Sequence, residues 1–315
     1  MTEPHIDRTA IDEAFRLCLR RNVLNEADYD FFSRLASIDE VYATIFDSLE
    51  FRGRLAPLQQ PIGREKLEVE AEASPEALSQ MLAHVESTWT HLGETEPHWS
   101  VVTDPRFKAD SFEANEALYR ETGRQDEAEF AAAANRADID LGRFHTCLEI
   151  GCGTGRVTAW LSQRFAQVIA ADISGAHLDV ARQALAGAGN ISFAHLTSLK
   201  MLNALPPYDA LYSRIVLQHN PPPVIAIVLE HLLQALSPGG VAFFQVPVWI
   251  SGYRFRVSDY LQDQSARPME MHLLPQDRLL AIVQDAGCRV RELREDPLGP
   301  QFGGISNTLL VEKAC

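Results

Sequence analysis

Apolar residues recur at helical spacing near the amino terminus. Ile11, Ala14, Phe15, Cys18 and Leu19 fall at i, i+3, i+4, i+7 and i+8, the stripe of an amphipathic helix. Tyr42, Ile45, Phe46 and Leu49 repeat the pattern, and Asn25-Glu26-Ala27-Asp28 between them reads as a turn and N-cap leading into Tyr29, Phe31, Phe32 and Leu35. The spacing predicts a small all-helical unit over residues 1–56. Residues 57–75 hold Pro57, Pro61, Gly63 and Pro75 among glutamates, the composition of a linker. A second helical stretch, the cap region 76–145, opens with the stripe Leu78, Met81, Leu82 and Val85. A loop over 93–100 containing His98 and Trp99 interrupts it, and helix resumes around 111–119 and 126–137.

From residue 146 the period changes. Apolar strands over 146–150, 167–172, 191–195, 208–213, 239–246, 288–294 and 305–312 alternate with amphipathic helices over about 155–165, 175–187, 223–236 and 275–286. Strand and helix in alternation predict right-handed βαβ units and a parallel sheet. Only Asp296 to Gly304 separates the last two strands, so they are expected to pair antiparallel and close the sheet. The chain shows no internal repeat.

Composition narrows the function classes. Hydrophobic residues make up 46% and charged residues 23% of the 315, enough apolar material for a sizeable core. A net charge of −15 argues against a nucleic-acid or anionic-membrane partner. The five cysteines (Cys18, Cys147, Cys152, Cys288, Cys315) are scattered and lack zinc-type spacing, as expected of reduced thiols in a cytoplasmic protein. The first residues carry acids and no apolar stretch, unlike a signal peptide. Runs such as 222–229 are too short to span a bilayer.

The strongest chemical signal is Thr146-Cys147-Leu148-Glu149-Ile150-Gly151-Cys152-Gly153-Thr154-Gly155-Arg156. An apolar strand enters a glycine-rich turn, and Val157, Trp160, Leu161 and Phe165 then mark one helix face. Glycines suit a sharp turn that a ligand must approach closely, and the helix start offers free N–H groups. The following strand ends in Asp172 about 20 residues on, where an acid can accept both hydroxyls of a ribose. Arg156 stands where the third glycine of a dinucleotide fingerprint would be.

This spacing resembles the first motif of class I S-adenosylmethionine-dependent methyltransferases, an acid followed by G-x-G-x-G. Leu236-Ser237-Pro238-Gly239-Gly240 and Tyr208-Asp209-Ala210-Leu211-Tyr212-Ser213 resemble further elements of that family, over about residues 146–315. The resemblance implies an α/β, Rossmann-like seven-stranded sheet of order 3-2-1-4-5-7-6, last strand antiparallel, behind the amino-terminal all-helical extension. It implies S-adenosyl-L-methionine as cofactor, with Glu149, Gly151, Gly153 and Gly155 around its methionine part, Asp172 on the ribose and Ile173 against the adenine. Family members often carry an acid near position 197. Here Thr197 or Ser198, or a backbone carbonyl, would hold the adenine amine. Arg214, just past the fourth strand, joins the cofactor set.

Methyl transfer needs alignment, and for a hydroxyl acceptor a base. His219, in the segment after the fourth strand, is the first candidate, since a histidine's ordinary pKa of ~6.5 suits proton uptake at neutral pH. A helix-capping or packing role under Pro221–Pro223 is the alternative. Glu270 and His272 stand two apart on a later loop and form a second candidate pair, against the alternative of a plain surface loop. His98 and Trp99 are candidates for a lid. Arg254 and Arg256 are candidates for binding an anionic acceptor. No metal-ligand cluster has convincing spacing.

The amino-terminal pattern is Phe15-x-Leu17-x-Leu19-x-Arg21, Asp28, then Ser48-x-Glu50-Phe51. It resembles a short helical module that accompanies bacterial surface-glycan enzymes, which implies a sugar hydroxyl as acceptor and polysaccharide biosynthesis as setting. Three other readings stand beside it. They are a methyltransferase of a small natural product with an O or N acceptor, an NAD(P)-dependent oxidoreductase, and a non-catalytic cofactor-binding scaffold. The helical module would serve a homodimer or a partner protein.

Overall fold

The computed structural model describes residues 6–21, 23, 25–48, 50–51, 66–263, 269–297 and 303–315. Leu49 of the second stripe, residues 57–65 of the expected linker and 298–302 of the closing loop lie outside the described residues. The chain divides into two compact units, Met1–Glu65 and Lys66–Cys315.

The first unit holds α1 (Arg8–Leu19), α2 (Glu26–Phe32) and α3 (Ile38–Asp47). Its core is Ile11, Ala14, Phe15, Leu19, Phe32, Val41 and Ile45, with Phe15 and Phe32 edge-to-face at 5.0 Å. The stripe read from the sequence thus points inward, except that Phe46 is exposed along with Leu17 and Phe31. Asn25 and Ser37 accept from the backbone N–H groups of Asp28 and Glu40 and so cap α2 and α3, each cap contributing about 1 kcal/mol.

The second unit begins with β1 (Glu68–Val69), α4 (Pro75–Thr95), α5 (Pro97–Val101) and α6 (Phe112–Arg136). The loop expected over 93–100 is largely helical instead. Gly93 continues α4 because that helix crosses the next layer there, where an added Cβ would lie 2.7 Å from His177 Nδ1. Pro97, which has no N–H to donate, marks the boundary with α5. The stretches 111–119 and 126–137 are one helix, α6, its buried face running from Tyr119 through Gly123, Asp126 and Phe130 to Ala134.

The sheet follows with β2 (Thr146–Ile150), α7 (Thr158–Arg164), β3 (Gln167–Asp172), α8 (Gly175–Ala184), β4 (Ile191–His195), α9 (Leu199–Asn203), β5 (Tyr208–Ser213), α10 (Pro222–Ala235) and β6 (Leu236–Ile250). Then come β7 (Arg254–Phe255), α11 (Val257–Gln262), α12 (Gln276–Asp285), β8 (Cys288–Asp296) and β9 (Gly304–Lys313). Strand order is β4-β3-β2-β5-β6-β9-β8, parallel as far as β6 and antiparallel at β6–β9 and β9–β8. This is the Rossmann-like order 3-2-1-4-5-7-6 with the closing hairpin expected from the sequence. The short β1 pairs parallel with β7.

Alternate residues of each strand feed two cores. Leu148, Ile169, Ala171, Leu211 and Phe244 face α10 and α12. Cys147, Val168, Ala210, Tyr212 and Phe243 face α6 and α7. Burial on both faces is why these strands read as continuous apolar runs. β2 is flanked by β3 and β5, so the chain's direction of winding reverses beside it. Crevices at such a switch point, beyond the carboxyl ends of the strands, are where open α/β sheets take ligands. No helix among the described residues is long and apolar enough to cross a membrane.

Candidate active site

A cavity of about 680 Å³ opens at that switch point. Its floor is the turn after β2. Gly151 and Gly153 adopt φ of +74° and +53°, in the left-handed region. A Cβ at Gly151 would lie 2.3 Å from Val216, and one at Gly153 would lie 2.7 Å from Val101. Gly155, at φ +81°, does not line the cavity. Its missing side chain leaves room for Leu185 of the neighbouring layer.

Asp172 stands at the end of β3 and lines the cavity with Ile173. Its carboxylate accepts the N–H of Gly153 and that of Ser174, both at 2.8 Å. These bonds tie strand end to glycine turn. The carboxylate oxygens have lone pairs beyond the two so used. Of the pair proposed for the adenine amine, Ser198 lines the cavity. Thr197 does not: its N–H and hydroxyl point at Met201 Sδ, at 3.4 and 3.5 Å.

Glu149 lines the cavity at the end of β2, where Thr158 donates to its Oε2 at 2.6 Å. Burial pushes its carboxyl up to about 8, so it is largely protonated at neutral pH. Arg214 also faces the cavity and forms an ion pair with Asp126 of α6, which in turn pairs with Arg156. Arg214 lies 3.6 Å from the buried Asp296 as well. Two cations thus share one inward-facing carboxylate. Among the described residues, Arg156 Nε and the Tyr212 hydroxyl are buried without a hydrogen-bond partner, and both residues line the cavity. Unpaired buried polar atoms of this kind fit a polar ligand.

His219 follows β5 in a short 3₁₀ turn and lines the same cavity, with the Trp89 ring of α4 5.1 Å away. Its Nδ1 sits 2.8 Å from the backbone carbonyl of Glu270. A carbonyl only accepts, so Nδ1 carries the proton and Nε2, 3.3 Å from the Gln218 amide, is the basic nitrogen. Burial lowers the imidazole to about 4 and keeps it neutral.

Glu270 and His272 are not brought to the cavity. Their side chains meet each other at 3.2 Å and two tyrosines behind the wall that Met269 and Met271 present. His98 stacks on Phe112 with 3.4 Å between ring centres, and Val101, Val102 and Thr103 line the cavity in its place. Arg254 lies on the surface within 4.0 Å of Glu68. Sequence reasoning passed over Asp126. An aspartate on the buried face of α6 was the available signal, because a charge there needs partners. Among the described residues no cluster of three or more His, Cys, Asp or Glu could hold a metal ion.

Residues 147–240 match a family described as a methyltransferase domain. Residues 147–240 thus carry a methyltransferase domain. The chain is 36% identical over 135 residues, 42% of its length, to the trans-aconitate 2-methyltransferase of Methylobacterium radiotolerans, covering 49% of that protein. It is 34% identical over 99 residues, 31% of its length, to the ubiquinone biosynthesis O-methyltransferase of Stutzerimonas stutzeri, covering 42% of it. The chain thus spans half or less of the curated relatives it matches. Among solved structures, the N-methyltransferase NodS of Bradyrhizobium japonicum in complex with S-adenosylhomocysteine is 13% identical. That match covers 72% of this chain and 98% of NodS, with a TM-score of 0.47.

Proposed function

We propose that this chain transfers a methyl group from S-adenosylmethionine to an oxygen atom of a small acceptor. One observation carries the reading. The glycine turn with Asp172, and a neutral histidine whose Nδ1 is already committed, face one cavity. The residues fit the cofactor. Gly151 and Gly153 leave room for close approach, Asp172 has lone pairs for ribose hydroxyls, and Glu149 with the Asp126–Arg156–Arg214 cluster offers charge for an amino-acid moiety. Ile173 and Ser198 complete the adenosine side. When bound, the cofactor supplies a methyl group activated on a sulfonium.

His219 Nε2 takes the acceptor's proton as the oxygen–carbon bond forms. A buried imidazole held near 4 is a weak base. It matches an acceptor whose hydroxyl is itself acidic, a phenol, an enol or a carboxylic acid, better than an alcohol. Volume supports a small acceptor too, because 680 Å³ lies within the range of a single small-molecule site and cofactor and acceptor must share it. Both curated relatives are named for small-molecule chemistry.

The second reading is a sugar hydroxyl within polysaccharide biosynthesis. It rests on the amino-terminal module, whose motif residues Arg21 and Glu50 form a two-pronged ion pair at 2.6 and 2.8 Å. In either case a cytoplasmic location suits the five free thiols, and the exposed Leu17, Phe31 and Phe46 suit contact with a second copy or a partner protein.

Calorimetric titration is the first test. S-adenosylhomocysteine should bind and NAD and NADP should not, and Asp172→Ala should weaken binding ~10-fold or more, the worth of charge-assisted hydrogen bonds. Binding of a nicotinamide cofactor instead would overturn the reading. Turnover is then measured on phenols, carboxylic acids and saccharides. His219→Ala should lower kcat by about 10²-fold with cofactor affinity unchanged. The acid limb of kcat/KM should lie near pH 4, because the free base is the resting form at every higher pH. Turnover on saccharides alone would favour the second reading.

A further inference from the structure

Glu270 and His272 lie outside the cavity, His272 buried and Glu270 partly buried, and their side chains are hydrogen-bonded. Tyr260 donates its hydroxyl to Glu270 Oε2 at 2.9 Å, and His272 Nε2 lies 3.2 Å from the same oxygen. His272 Nδ1 is 2.7 Å from the Tyr253 hydroxyl. A carboxylate only accepts, so Nε2 of His272 carries a proton toward Glu270, and in the neutral ring Nδ1 accepts from Tyr253. The result is an ordered chain, Tyr253 to His272 to Glu270, with Tyr260 entering from α11.

The backbone of Glu270 and His272 is clasped to the turn that bears His219. The His272 N–H donates to the Gln218 carbonyl at 2.7 Å, and His219 Nδ1–H donates to the Glu270 carbonyl at 2.8 Å. Met269, the residue before the clasp, has φ +53°, a conformation that a methionine holds only when its surroundings impose it. Among the described residues the Glu270 carbonyl alone accepts at His219 Nδ1.

We propose that the hydrogen-bonded Tyr253–His272–Glu270–Tyr260 network is a positioning device. It holds the Glu270 carbonyl at His219 Nδ1 and so keeps the basic Nε2 turned to the acceptor side. If the strap relaxes, Nδ1 loses its partner and the proton can move to Nε2, leaving no base in the cavity. None of the four side chains lines the cavity. They act through His219, as outer partners of functional histidines do by fixing tautomer and ring orientation. The inference rests on the reading of His219 as the base, but the tautomer can be observed without turnover.

The experiment uses the full chain labelled with ¹⁵N-histidine, with His219→Asn to identify the resonances of that ring. In the wild type, His219 should show a protonated, pyrrole-like Nδ1 and an unprotonated, pyridine-like Nε2. In Glu270→Gln, and in the milder Tyr253→Phe and Tyr260→Phe, the Nε2–H form should gain population. At the same time kcat should fall roughly 10-fold or more, with cofactor Kd unchanged. A His219 ring that keeps Nδ1–H in all three variants overturns the proposal, whatever happens to kcat. A tautomer shift with unaltered kcat upholds the strap and removes His219 as the base, so the two failures are distinguishable.

Discussion

Glu149 illustrates how a single buried side chain can couple ligand binding to protons. Its carboxyl lies at the end of β2 with one short bond from Thr158, and burial raises it to about 8. At pH 7 burial therefore keeps it largely neutral. A ligand carrying positive charge favours the ionised form, so binding should release a proton. The sign follows directly. Affinity for S-adenosylmethionine should rise with pH from 6 toward 8 and level off above the raised value. Calorimetry in two buffers of different ionisation enthalpy measures the released proton. Glu149→Gln should abolish both the release and the pH dependence. Asp172, the other acid at a strand end, is held in place by bonds from two backbone N–H groups, those of Gly153 and Ser174.

At the scale of elements, the turn between β2 and α7 joins conformation to packing. Gly151 needs a positive φ, and its absent Cβ is the space into which Val216 packs. Gly151→Ala should therefore strain the backbone and push the β5 exit, with His219, away from the cavity. The expected outcome is loss of measurable S-adenosylhomocysteine binding and a lowered Tm, read by calorimetry and thermal melts. The strand–turn–acid unit was legible from the sequence because its signals are local: apolar runs buried on both faces, glycines at fixed spacing and an acid at the next strand end. The helix boundaries at Gly93 and through 111–137 were not legible. There a glycine served close approach to His177, and a polar-looking helix buried its charges in ion pairs with Arg156 and Arg214. Glu270 and His272 were noticed as a pair for the right spacing and the wrong surroundings. Alternation predicted that they point the same way, and they do meet each other, but periodicity carries no information about which wall they stand behind.

For the whole molecule, the division into two units makes a sharper statement about where activity resides. Every residue lining the cavity, from Leu82 to Met271, belongs to Lys66–Cys315. The covering wall is supplied by α4 and by the loop after α5, so the cap residues and the sheet form one folded body around the ligand site. Met1–Glu65 has its own core of seven buried apolar residues and its own capped helices. A fragment comprising residues 66–315 should therefore bind S-adenosylhomocysteine with the affinity of the full chain, within about twofold, and melt cooperatively. If the amino-terminal helices instead serve recognition of a partner or a larger acceptor, their removal should leave cofactor affinity intact and lower only turnover on that acceptor. Calorimetry on the fragment and the full chain, followed by turnover on the best acceptor found, separates the two contributions. A fragment that folds but no longer binds S-adenosylhomocysteine would mean that the helical unit completes the cofactor site, contrary to the lining described above.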